Sequence, residues 1–332
     1  IGSNQMMAYL VEMAVRLVEL YRVLKPTGSL YLHCDPTASH YLKLTLDSIF
    51  GPTNFRNEII WKRSSAHSDA GQGARHHGRV HDTLLFYSKS DESTFNQQFT
   101  AYDEKYIREN YKRVDEDGRL YRIDNIQGPG GAAKGNPRYE FLGVTRYWRY
   151  SRERMQELYE QGRIIQTRPG AVPQYKRYFD EMPGVPTQSI WTDIPVINNR
   201  SKEMLGYPTQ KPIALLERIL QTSSNEGDVV LDPFCGCGTA LAAAQKLGRR
   251  WIGIDITYLS IAVMKARLKD HFDVEAPIIG QPTEVQGAKM LAQQSPGDRF
   301  EFQRWALTLI DAFPLGGTVT RGTDRGIDGR ST

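Results

Sequence analysis

Apolar side chains recur at three- and four-residue steps from Met6 to Leu24, through Leu10, Met13, Ala14, Leu17, Leu20 and Tyr21, and predict one amphipathic helix. Lys25-Pro26-Thr27-Gly28 breaks the period as a turn, and Ser29 to Cys34 (SLYLHC) reads as a short, largely buried strand. A second helix is expected from His40 to Phe50, stopped by Gly51-Pro52. Glu58 to Lys62 and Thr83 to Tyr87 read as strands from their β-branched and aromatic content. Helix and strand alternate over these ninety residues, the pattern of a wound α/β sheet.

The pattern changes between about Ser90 and Arg200. Long periodic elements give way to dense aromatics and arginines, among them Tyr102, Tyr106, Tyr111, Arg113, Arg119, Tyr121, Arg122, Arg138, Tyr139, Arg146, Tyr147, Trp148, Arg149, Tyr150, Arg152 and Arg154. Gly128-Pro129-Gly130-Gly131 and Pro183-Gly184-Val185-Pro186 mark loops. Such a segment is either an irregular insertion held by aromatic packing or a nucleic-acid surface, with arginines for phosphates and aromatics for unstacked bases. Alternation resumes after Pro208: a helix from Ile213 to Thr222, a strand at Asp228 to Leu231, a helix from Ala240 to Leu247, a strand from Arg250 to Asp255 and a helix from Leu259 to Leu268. One α/β domain is therefore split by an insertion, with expected divisions at 1–89, 90–200, 201–272 and a tail at 273–332.

Composition narrows the class. The 332 residues are 40% hydrophobic and 24% charged, an ordinary globular balance. No apolar run approaches the ~20 residues of a membrane helix, and no leader pattern opens the chain, so a cytoplasmic protein is expected. The net charge of +4 permits a polyanionic partner without requiring one. Cys34, Cys235 and Cys237 are too few, and Cys235 and Cys237 too close together, for a zinc site; reduced thiols and no metal are expected.

The strongest chemical signal is Val229-Val230-Leu231-Asp232-Pro233-Phe234-Cys235-Gly236-Cys237-Gly238-Thr239, between a predicted strand and a predicted helix. Ligands of doubly wound sheets bind there, at the carboxyl ends of the strands. Gly236 and Gly238 allow a sharp turn and close backbone approach. The next strand ends in Asp255, 23 residues after Asp232, a spacing at which an acid commonly bonds ribose hydroxyls. Neither G-x-G-x-x-G nor G-K-[ST] occurs. Asp232 would repel a pyrophosphate but suits a ligand with a cationic end. S-adenosylmethionine has both a ribose for Asp255 and an ammonium for Asp232.

The DPFCGCGT run at 232–239 resembles the cofactor loop of amino-group DNA methyltransferases, the N6-adenine and N4-cytosine enzymes. Tyr207-Pro208-Thr209-Gln210-Lys211-Pro212 is similar to the segment that closes over the methionine part of the cofactor in that family. Gly28 to Asp35, His40 to Gly51 and Asn57 to Lys62 look like the strand, helix and strand that follow its catalytic loop. Catalytic half, recognition insertion, cofactor half is the permuted order of the beta group. The resemblance spans roughly residues 5–270. It implies a circularly permuted Rossmann-like sheet, S-adenosylmethionine held by Thr209, Lys211, Pro212, Asp232, Pro233, Phe234, Gly236, Gly238, Thr239 and Asp255, and double-stranded DNA as partner. Arg146, Trp148 and Arg149 are the candidate DNA contacts. N6-adenine is favoured over N4-cytosine as target, within a restriction-modification system.

The family's Asp/Asn/Ser-Pro-Pro-Tyr/Phe loop has no counterpart here; Asp35-Pro36-Thr37-Ala38 follows the wrong strand and lacks the second proline and the aromatic. The catalytic residues are therefore expected upstream of Ile1, in a longer protein of which residues 1–332 alone would be inactive, a non-catalytic fragment that binds DNA and cofactor. Their strand would be central in the sheet, next to that at Val229. Trp61, at a strand end, is either a stacking wall for a flipped base or a core tryptophan. In the tail, Phe300 to Leu307 is amphipathic, and Gly322 to Gly329 resembles the start of a restriction-endonuclease-like domain in which an acid comparable to Asp328 binds magnesium.

Overall fold

A computed structural model describes residues 4–64, 73–198, 200–207, 209–281 and 289, with 305–307, 312–314 and 329–331. Asp324 and Asp328 lie outside the described residues, and so does Pro208. The chain divides into two compact bodies, residues 1–98 with 188–332, and residues 99–187.

In the first body, α1 (Gln5–Val23) opens on Asn4, whose side chain accepts the Met7 amide at 3.0 Å and so satisfies one of the free N–H groups of the first turn. The apolar stripe read from the sequence faces inward: Leu10, Met13 and Leu17 are buried. They pack with Leu42, Leu46 and Phe50 of α2 (Ser39–Phe50) against β1 (Ser29–Cys34) and β3 (His81–Ser88). Burying side chains of this size is worth roughly 1.5–3 kcal/mol each, which fixes the helical layer on the sheet.

The sheet has the order β1-β3-β2-β4, with β2 at Phe55–Lys62 and β4 at Ile190–Trp191. β3 runs antiparallel to both neighbours, while β4 is parallel to β2 with Ile190 opposite Ile60 and Trp191 opposite Trp61. β1, β2 and β4 therefore end at the edge where β3 begins. On the other face Ile59, Trp61, Leu84, Phe86, Trp191 and Ile194 close a second core with Leu215 and Ile219 of α3 (Ile213–Ser223). β5 (Val229–Asp232) and β6 (Arg250–Gly253) form a separate parallel pair, packed by α4 (Thr239–Lys246) and α5 (Tyr258–Phe272). Among the described strands, β1 and β5 are each paired on one side only.

The second body is built from short elements. Residues 113–114, 120–125, 174–178 and 164–165 form a four-stranded antiparallel sheet, and Arg138–Phe141 with Val144–Tyr147 form a hairpin. Its core holds Ile126, Phe141, Trp148, Met155, Leu158 and Ile164. Its edges fall at 99 and 187, inside the expected 90 and 200, because Glu92 to Asn96 and the β4 segment belong with the first body.

Candidate cofactor site

The loop from Asp232 to Thr239 leaves β5 and enters α4. The Ile254 amide donates to the Asp232 carbonyl at 2.9 Å, and the Cys235 amide donates to the Ile254 carbonyl at 3.1 Å, so β6 templates the first half of the loop. The Gly236 amide then donates to Oδ2 of Asp255 at 2.9 Å, and the Gly238 amide closes the turn on the Cys235 carbonyl at 2.7 Å. Gly236 and Gly238 have φ of 50° and 72°. Both lie in the left-handed region that costs a side chain roughly 1–2 kcal/mol. A Cβ on Gly238 would also stand 2.6 Å from Cγ of Met264.

Asp232 lines a cleft beside this loop. Its carboxylate accepts the Phe234 amide at 3.1 Å, and among the described residues no cationic side chain pairs with it. Burial pushes its pKa above the usual carboxylate range, against the pull of the Phe234 amide, and the nearby charge of Asp255 raises it further. A buried carboxylate that lacks a cation is unstable as an anion and becomes favourable when a positive group enters. Asp255 serves differently. Its two oxygens receive Gly236 N–H and, at 3.0 and 3.2 Å, the amide and hydroxyl of Thr257. It shapes the loop from behind, with lone pairs remaining for a further donor.

The segment before α3 faces this loop. Tyr207, Thr209, Gln210, Lys211, Asp232, Phe234, Gly236 and Thr239 line one cleft. The ring of Tyr207 lies over Gly236, where a Cβ would approach it to 3.1 Å, and its hydroxyl meets Ser260 Oγ at 2.9 Å. Ser260 contacts Thr257, the N-cap of α5, and thereby Asp255. Thr209 takes a left-handed φ of 64°, an unusual strain for a β-branched residue, and its carbonyl accepts Nζ of Lys211 at 2.9 Å. Burial lowers the Lys211 pKa. Pro212 stands at the N-cap of α3.

Two residues not anticipated from sequence brace the cleft. Arg267, buried on α5, donates to Thr239 Oγ1 at 3.0 Å and to the Cys237 carbonyl at 3.3 Å. Its other terminal nitrogen is 4.0 Å from Glu203, whose Oε1 accepts the Ile213 amide at 2.6 Å. The signal was available: Ser260, Met264 and Arg267 fall on one helical stripe, and an arginine on a buried stripe implies a partner.

The remaining candidates separate. Trp61 is 2% exposed and donates its indole N–H to the Ile194 carbonyl at 2.8 Å, so it is a core tryptophan and no free wall for a base. Trp148 is fully buried, donates to the Tyr139 carbonyl at 2.9 Å and anchors the second body's core; as a DNA contact it is corrected. Arg146 and Arg149 are exposed. Many of the other arginines are already engaged, Arg119 with Asp180 and Glu181, Arg122 with Asp124, and Arg154 with Glu157. The charge free to meet phosphate is smaller than composition suggests.

The DNA methylase family matches residues 2–264. The chain belongs to the N6/N4 DNA methylase family. It is 31% identical to the type II methyltransferase M.EcaI of Enterobacter cloacae over 75% of this chain and 54% of that one. It is 27% identical to the type III restriction-modification enzyme StyLTI Mod subunit of Salmonella typhimurium over 74% and 39%. It is 26% identical to the DNA adenine methyltransferase YhdJ of Escherichia coli over 78% and 67%. The chain thus spans about half the length of the first two relatives. For this member of the family the α/β class read from the sequence holds.

Proposed function

We propose that the protein carrying this chain transfers a methyl group from S-adenosylmethionine to an exocyclic amine in duplex DNA, N6 of adenine by preference, as the modification activity of a restriction-modification system. The observation that carries the reading is the half-buried Asp232 carboxylate, which has no cationic partner among the described residues, beside two positive-φ glycines in a cleft that Lys211 also lines. This donor set fits the cofactor. Asp232 pairs with the ammonium, Lys211 and the Thr209 backbone face the carboxylate, and Gly236 lets the ligand approach the main chain. When bound, the cofactor supplies an electrophilic methyl on a sulfonium.

An amine inside a duplex is out of reach, so the target base is flipped at a cost of a few kcal/mol. Exposed Arg146 and Arg149 in the second body hold phosphates. YhdJ, a DNA adenine methyltransferase by name, supports adenine, and the StyLTI Mod subunit supports the restriction-modification setting. The test incubates the full-length protein with duplex DNA and methyl-labelled cofactor, then digests the DNA to nucleosides. Labelled N6-methyladenine is the expected product. N4-methylcytosine would reassign the target, and unlabelled DNA from protein that binds the cofactor would sink the activity.

A further inference from the structure

At the edge where β1 and β2 end and β3 begins, a histidine and an aspartate face each other. Nε2 of His33 is 2.9 Å from Oδ2 of Asp82. The Asp82 side chain is 11% exposed and its other oxygen lies 3.3 Å from Nε of Arg63; the His33 side chain is 24% exposed and its ring stands edge-on to Trp61. Lys211, which lines the cofactor cleft, is the second cation acting on the pair. Arg63 thus follows β2, Asp82 belongs to β3 and Lys211 comes from the segment before α3, so His33 meets one acid and two bases.

Burial works against the Asp82 carboxylate, but the bond to His33 and the charges of His33, Arg63 and Lys211 outweigh it and hold Asp82 below the usual range. Burial pushes His33 below the usual imidazole range, Asp82 offsets this in part, and Lys211 and Arg63 push the same way as burial. At neutral pH the pair is a carboxylate and a neutral imidazole. A carboxylate can only accept, so Nε2 carries the hydrogen and Nδ1 is left with its lone pair. A neutral imidazole held in one tautomer by a buried acid, partly open and beside a ligand cleft, has the form of a general base. The packing of β1 against its neighbours would be served equally well by an aliphatic residue.

We propose that Nδ1 of His33 accepts the proton that the target amine sheds as it is methylated, with Asp82 as the positioning residue. The amine lone pair forms the new N–C bond, the pair of the broken S–C bond stays on sulfur, and one N–H proton passes to Nδ1. The products are a neutral methylamine, a thioether and an imidazolium facing Asp82. This rests on the methyltransferase reading above.

The experiment measures single-turnover methylation by the full-length protein against pH, alongside NMR titration of the His33 ring and calorimetry of cofactor binding. The rate falls on the acid side with a midpoint matching the ring titration. His33→Gln loses that limb and turns over about 100-fold more slowly, with unchanged cofactor affinity. Asp82→Asn moves ring titration and kinetic limb together to lower pH, since the charge favouring the imidazolium is gone. A wild-type rate and limb in His33→Gln, or a slower variant that keeps the limb, overturns the proposal and leaves the methyltransferase reading intact. So does an Asp82→Asn variant whose ring titration shifts while its kinetic limb stays. Absence of methylation by the wild-type protein overturns both together.

Discussion

Oδ2 of Asp255 lies 2.9 Å from the amide nitrogen of Gly236, so the acid at the end of one strand sets the turn that follows the other. Asp255→Ala removes that bond and those to Thr257 at once. Cofactor affinity is expected to fall by about 1–3 kcal/mol, and the melting temperature of the unliganded protein to fall with it. Calorimetry and a thermal melt on the same sample check this. An unaltered melt with weakened binding would mean that Asp255 meets only the ligand.

Gly238 and Gly118 share a positive φ, 72° and 81°, but only Gly238 faces a close neighbour. Gly118→Ala is expected to cost about 1 kcal/mol from backbone strain. Gly238→Ala costs that and the overlap with Met264, and should exceed it by about 1–3 kcal/mol. Equal costs in urea denaturation would show that Met264 moves freely aside.

Asp232 has a pKa raised by folding, so the folded state binds its proton more tightly than the unfolded chain does. Stability from this group is present at low pH and is lost as pH rises from the unfolded value through the folded one. Asp232→Asn should therefore raise the melting temperature of the unliganded protein at neutral pH while weakening cofactor binding. The wild-type affinity should fall as acid neutralises Asp232, and the variant should lack that fall. A less stable variant would mean that the carboxylate has a structural partner.

Arg146→Ala and Arg149→Ala are each expected to reduce the slope of log affinity for DNA against log salt by about 0.9. Arg119→Ala should leave the slope unchanged, because its guanidinium is committed to Asp180 and Glu181. Equal slopes in all three would remove the hairpin around Arg146 from the DNA surface.

Trp148→Ala should destabilise the protein by about 3–5 kcal/mol through the cavity left in the core. Trp148→Phe should cost less and leave DNA affinity unaltered below the melt. Reduced affinity in a folded Trp148→Phe variant would return this residue to the interface.

Local periodicity carried most of the first body. Ser29–Cys34 forms the strand its pattern predicts, and the first two helices start within a residue of expectation, because each buries a stripe against one layer. Strand direction was illegible: the composition of His81–Ser88 says strand but not that it opposes both neighbours. The turn between β5 and α4 was legible since Asp232, Gly236 and Gly238 fall within one short stretch of sequence. Of its braces, Arg267 left a trace as an arginine on a buried helical stripe, while Glu203 lies far upstream in sequence and left none. Buried and surface aromatics look alike in a sequence, which is why Trp148 was misplaced. The acids that neutralise Arg119 lie 61 and 62 residues downstream.

The pairing of Ile190–Trp191 with Ile60–Trp61 spans the whole intervening segment. On the ribosome, β2 emerges long before the strand that completes its edge. Residues 99–187 have their own core and can close it in the interval, since domains generally fold as units. The order of synthesis therefore lets the inserted body close its core before the sheet around Trp61 receives Trp191 at its edge.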